Sequence, residues 1–250
     1  MITKKDSPLT FWEHLEELRG RIVFSLLALL AAACLFYRYV GDILPLLIKP
    51  VGKVVFTSPT EAFMAHFMLA LFGGMFFAMP VILYQLWRFV ATALNDREKR
   101  YVFIFVPGVF AFFSLGCVFG YFVLLPTMLQ FLLSFETSLV VPMIGISRYI
   151  SFVCFVVAGC GIAFELPLVI VFLTQIGIVT PAFLIHKRKH AIVAIFIASA
   201  VLTPSPDFFS QLVLAVPLVL LYEISIIFSK MISWANARKV VDQRRVIPSA

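Results

Sequence analysis

Apolar residues run almost unbroken over residues 22–40, 67–91, 102–125, 149–176, 190–203 and 209–229, and the charged residues collect between those runs. A helix needs about 20 apolar residues to cross a hydrocarbon layer about 30 Å thick, so the pattern predicts six membrane-spanning helices. The fifth is short: His190 to Thr203 is 14 residues. That is about 21 Å of helix at about 1.5 Å per residue, and such a span is expected to thin the bilayer around it. Prolines fall inside three spans, at Pro80, Pro167 and Pro217. Each removes a backbone hydrogen bond and bends its helix, and bent helices favour a concave, cupped bundle over a straight one. The longest connection, 41–66, is punctuated by Pro45, Pro50 and Pro59 and predicts irregular structure with short helices. No low-complexity linker divides the chain, so residues 1–250 read as a single all-α polytopic membrane domain, with polar tails at 1–21 and 230–250.

Composition agrees with this class. Hydrophobic residues make up 62% of the chain and charged residues 13%, where a soluble domain carries about a quarter. The formal net charge of +7 invites a nucleic-acid reading, but the cations sit in short clusters between spans. Sixteen of the 20 Lys and Arg residues lie in the N-terminal segment, the 88–100 and 176–190 connections and the C-terminal tail. The other four are Arg38, Lys49, Lys53 and Arg148. The positive-inside rule therefore places both termini in the cytoplasm. Cys34, Cys117, Cys154 and Cys160 lie in apolar runs without C-x-x-C spacing and read as small core residues. His186 and His190 have i,i+4 spacing, but the three intervening cations make a metal site electrostatically poor and leave lipid phosphate as the modest alternative. No H-E-x-x-H, G-x-S-x-G or P-loop pattern occurs, so neither an enzyme nor a cofactor is expected.

The acids carry the remaining information. Thr10 and Glu13 have capping-box spacing, which predicts a helix starting near Phe11. Phe11, Leu15, Leu18 and Ile22 give that helix an apolar face, with Glu16 off it in water. Glu17 has an i,i+4 partner in Arg21, a pair worth only about 0.3–0.5 kcal/mol on an exposed helix and so exchangeable for a visiting cation. Glu98 follows Asn95 and Asp96 at the start of the third helix, where the helix dipole and solvent suffice to hold a carboxylate. Trp87 and Phe89 lie close by at interfacial depth. Glu165 is about sixteen residues into the fourth span. It either is a neutral acid bonded to Thr, Ser or Gln of another helix, or marks a functional polar spot. Asp207, after the T-P-S-P run, suits a helix cap; Glu61 suits a structural role, and Glu223 lies close enough to the cytoplasmic boundary for solvent or headgroups to satisfy it.

The segments HLEELRGR (14–21), PVILYQLWRF (80–89) with ALNDREKR (93–100), FELPL (164–168) and LTPSPDFFSQ (202–211) resemble the TatC family, the signal-peptide-recognising subunit of the twin-arginine protein translocase. The resemblance implies a core receptor that binds paired arginines of a folded cargo's signal peptide at the cytoplasmic face of a bacterial-type inner membrane. It assigns binding to Glu17 and Glu98, with Phe89 and Arg19 beside them. Glu165, Gln211 and Asp207 match positions linked to partner contacts or loop structure. Partners implied are TatA-like and TatB-like single-span subunits, further copies of the chain and membrane lipids, with the proton-motive force driving export. The rival from a different class is a proton-coupled small-solute transporter, with Glu165 as its intramembrane site and Pro80 and Pro167 marking discontinuous helices. The rivals differ in where the essential acids lie: the cytoplasmic rim for a receptor, the midplane for a transporter.

Overall fold

The computed structural model describes residues 11–56, 58–92, 96–137, 142–203 and 208–246, and of residues 11, 13, 87, 90–92, 96–105 and 235–246 the backbone alone. Thr10 and Asn95 lie outside the described residues, as do the side chains of Glu13 and Asp96. In chain order the helices are α1 (Phe11–Tyr37), α2 (Val40–Ile48), α3 (Pro59–Thr92), α4 (Asp96–Phe119), a π-helical turn (Gly120–Leu124), α5 (Leu125–Leu133), α6 (Ile146–Phe164), α7 (Leu166–Gln175), α8 (Pro181–His186), α9 (Arg188–Leu202) and α10 (Phe208–Val246). The extended structure among the described residues is a single bridge, in which Val55 exchanges two 2.9 Å hydrogen bonds with Ile144 and Ile146.

Among the described residues, five stretches are long and apolar enough to cross a membrane: His14–Tyr37, Pro59–Leu86, Val106–Leu133, Ile146–Gln175 and Phe208–Trp234. The sixth apolar helix, α9, has 15 residues. It spans about 22 Å, as the short fifth run foretold.

The chain divides into two compact units, one formed by α1 to α3 with α4 as far as Phe110, the other by residues 50–55 and the chain from Ala111 onward. In the first unit α1 lies along α3. Glycine makes the approach possible: a Cβ at Gly74 would strike the Ala33 backbone, and one at Gly73 the Phe36 ring. The outer face of α1 presents Leu26, Leu27, Leu30 and Leu35. Against lipid tails such exposure costs nothing, because there is no water to escape.

The second unit packs around Met128, Val156, Phe164, Leu214 and Leu218. Gly116 and Gly120 set a small-x-x-x-small seam on the span that meets α6. A Cβ at Gly116 would lie 2.5 Å from the Cys160 carbonyl oxygen and 2.8 Å from the Gly161 Cα, so any larger residue forces the helices apart. Cys117, Cys154 and Cys160 are buried free thiols, as small core residues should be; Cys34 is exposed on α1 instead. Thr127, Ser151 and Thr174 donate to carbonyls four residues back, which satisfies their hydroxyls where water is absent. Thr174 also meets Ser229 at 2.9 Å, tying α7 to α10.

The prolines act differently from one another. Pro80 and Pro217 sit inside unbroken helices, as do Pro45 and Pro107. At Pro167 the span is interrupted: α6 stops at Phe164, Glu165 is the junction, and α7 starts at Leu166 with Pro167 in its first turn, where a missing N–H is tolerated. Ahead of Pro126 the chain takes a wider turn, and the Leu125 N–H bonds back five residues to the Gly120 carbonyl.

Candidate functional site

The polar end of the first unit is built on one face of α1. His14, Glu17 and Arg21 recur at three and four residues and so share that face. Arg21 Nη2 donates to Glu17 Oε1, and Arg21 Nη1 donates to the Gln85 carbonyl of α3 at 3.3 Å. The ion pair is thus not the solvated one expected from spacing. The Arg21 side chain is 12% exposed and that of Glu17 28%, because α3 covers them. His14 Nδ1 is 4.0 Å from Glu17 Oε2, and its ring stacks on Phe89 with centroids 4.3 Å apart. Glu17 Oε2 itself is buried and has no hydrogen-bond partner among the described residues. A buried carboxylate oxygen left unmet is costly and is a ready acceptor for a charged donor.

An apolar groove of about 320 Å³ begins beside this cluster, lined by Leu18, Ile22, Leu26, Ile82, Leu86 and Phe89, with Arg21, Ser25 and Gln85 also on its wall. Glu16 and Arg19 are exposed on α1. Glu98 belongs to α4, but its side chain lies outside the described residues. His14 and Gln85 were missed from the sequence. The i,i+3 spacing of His14 to Glu17 was the available signal, whereas Gln85 contributes a backbone carbonyl, which no residue type announces.

A second polar spot lies in the other unit. Glu165, at the junction of α6 and α7, borders a cavity of about 650 Å³ whose wall is otherwise almost wholly apolar, including Ile162, Val169, Ile195 and Leu218. Its Oε1 is buried without a hydrogen-bond partner among the described residues, so the Thr, Ser or Gln partner required by the first of the two alternatives is not found there. Tyr222 also borders the cavity and donates its hydroxyl to the Leu184 carbonyl at 2.9 Å.

Gln211 is engaged within the chain, donating Nε2 to the Phe196 carbonyl at 2.9 Å and tying α10 to α9. Glu223 accepts from Arg188 at 2.7 Å, so an arginine rather than solvent satisfies it. Asp207 lies outside the described residues. Among the described residues no cluster of His, Cys, Asp or Glu could hold a metal ion.

Residues 13–217 match the family model for TatC, the Sec-independent protein translocase protein. The chain belongs to the TatC family. Curated TatC relatives include those of Carboxydothermus hydrogenoformans, 40% identical with 91% of this chain and 96% of the relative covered, and Aquifex aeolicus, 42% identical with 90% and 95% covered. A crystal structure titled as the twin arginine translocase receptor TatC superposes with a TM-score of 0.75 at 37% identity, covering 88% of this chain and 99% of the other. A second, of TatC in the detergent DDM, gives a TM-score of 0.76 at 38% identity, covering 86% and 99%. The all-helical, membrane-spanning fold is therefore that of TatC, a component of a protein translocase. These matches lend no support to the solute-transporter reading.

Proposed function

We propose that this chain is the receptor and scaffold subunit of a twin-arginine translocase. In this reading it binds paired arginines of a folded cargo's signal peptide at the cytoplasmic face of a bacterial-type inner membrane, with both its termini on that face. It assembles with TatA-like and TatB-like single-span subunits and with copies of itself, and the proton-motive force drives export.

The observation that carries the reading is the Glu17 carboxylate, which keeps one buried oxygen unmet among the described residues, in a chain similar to two solved twin arginine translocase receptors. Two carboxylates on separate segments, Glu17 and Glu98, suit two guanidinium groups, each of which forms a forked contact that an ammonium cannot reproduce. In this reading Phe89 and Arg19 join the site as its aromatic and cationic members. Charged hydrogen bonds net roughly 1.5–3 kcal/mol each, so two of them give affinities between about millimolar and tens of micromolar. The groove beside Phe89 offers the missing apolar surface, at about 0.8 kcal/mol per CH₂ withdrawn from water. Glu165 is assigned to contact with partner subunits or cargo, because a desolvated carboxylate facing an apolar cavity favours a donor brought by another chain. Asp207 and Gln211 belong to the same partner-facing set, Gln211 by holding α10 against α9.

Photocrosslinkers placed at positions 17, 89 and 98 test the reading with a twin-arginine signal peptide and its twin-lysine counterpart. Labelling should follow arginine content, and equal labelling by both peptides would remove the recognition site.

A further inference from the structure

The carboxylate assigned to the visiting arginine already holds one. Arg21 donates to Glu17 Oε1 through Nη2 while Nη1 is anchored on the Gln85 carbonyl, and its side chain is largely covered. A forked guanidinium contact needs both carboxylate oxygens. Oε1 is taken, and a second guanidinium reaching the buried, unbonded Oε2 alone would face the first across a single negative charge. We propose that Arg21 is the resident occupant of the arginine-recognition carboxylate, displaced from Glu17 by an arginine of the incoming peptide. This rests on the reading of Glu17 as the recognition site.

The surroundings fit an exchange rather than a fixed strut. Arg21 lines the adjacent groove together with Ser25 and Gln85, so there is room for its side chain to turn about the Gln85 carbonyl without leaving that anchor. Its grip on Glu17 uses one oxygen, whereas the ligand's fork uses two. The occupant thereby sets a threshold: a lysine, with a single point of charge, gains too little to displace a guanidinium, and a forked ligand gains enough. Arg21 is then a specificity-determining residue that acts by competition. His14, stacked on Phe89, lies beside the carboxylate, its Nδ1 4.0 Å from Glu17 Oε2.

Exchange also changes the ionic-strength response. When one guanidinium replaces another, no net charge is neutralised at Glu17, and the released Arg21 repels the arriving cations. Without Arg21 the peptide neutralises a bare carboxylate, and salt screens that attraction directly.

The test uses the full chain in nanodiscs and synthetic peptides with paired arginines or paired lysines. Arg21→Gln should bind the arginine peptide about tenfold more tightly, narrow the preference for arginine over lysine, and lose affinity with salt more steeply than the wild type. Unchanged or weaker binding by folded Arg21→Gln overturns the proposal. If that variant does not fold, Arg21→Lys serves instead: it should tighten arginine-peptide binding about threefold, since an ammonium is the easier occupant to displace, and no tightening overturns the proposal. Glu17→Gln separates the two claims. If it leaves wild-type peptide binding intact, the recognition site itself is misassigned. If it abolishes binding while Arg21→Gln fails to tighten it, the site stands and only the displacement is wrong.

Discussion

A carboxylate is useful to a receptor only if its own neighbours leave it something to offer. Among the described residues Glu17 keeps one buried oxygen without a donor, Glu16 one position earlier is exposed, and Glu223 is tied to Arg188. Glu17→Gln and Glu98→Gln should therefore abolish export of twin-arginine precursors in a cell-based reporter assay, while Glu16→Gln exports normally; equal tolerance at all three positions would contradict the assignment. Gln211→Leu removes the donor to the Phe196 carbonyl and should cost about 0.6–1.7 kcal/mol, read as a lowered unfolding midpoint in detergent. The sequence points to Glu17 through its weak i,i+4 pair with Arg21 and the resemblance of the 14–21 segment to the TatC family. It could not expose how Glu17 is held. The Arg21 pair looked solvated because spacing along α1 says nothing of α3 lying over it, and the part taken by Gln85 belongs to its backbone.

Helix boundaries follow hydropathy closely where helices are long, and poorly where proline punctuates them. Pro45 reads as a loop signal, yet it lies inside α2, and Pro59 opens α3 well before the apolar run at residue 67. Pro80 and Pro167 have similar flanking sequences, yet only at Pro167 is the helix interrupted. A missing N–H dictates a lost hydrogen bond; whether the helix bends or stops is decided by what packs around it. The G-x-x-x-G spacing of Gly116 and Gly120 was legible but was missed; its partner on α6, some forty residues away in the chain, was not legible. Gly116→Val should be among the most damaging single changes in the span, at about 1–3 kcal/mol or more of overpacking, because the atoms met are backbone and cannot swing aside. Thermal unfolding of the detergent-solubilised variant measures it, with Gly20→Val, at a position with open space, as the control.

For the whole molecule, the clearest message of the sequence is its class: long apolar runs separated by cations can only be spans and their connections. The orientation remains a prediction from charge. Single cysteines in a cysteine-free background, introduced at positions 17, 98 and 187, should react with an impermeant reagent only from the cytoplasmic side, and those at 53 and 148 only from the opposite side. Residues 17 and 98 labelled from outside the cell would dismantle the receptor reading. The short α9, at about 22 Å, should make function sensitive to bilayer thickness, with activity in reconstituted membranes falling as the lipid acyl chains lengthen.

The π-helical turn at Gly120–Leu124 carries one more residue than an α-helical turn of the same height would. Its bookkeeping is local: removing a single residue from that turn lets the flanking segments keep their facing, whereas the same deletion elsewhere in Val106–Leu133 swings everything beyond it by about 100°. A scan of one-residue deletions along this span should therefore show a narrow window of survival at Gly120–Leu124.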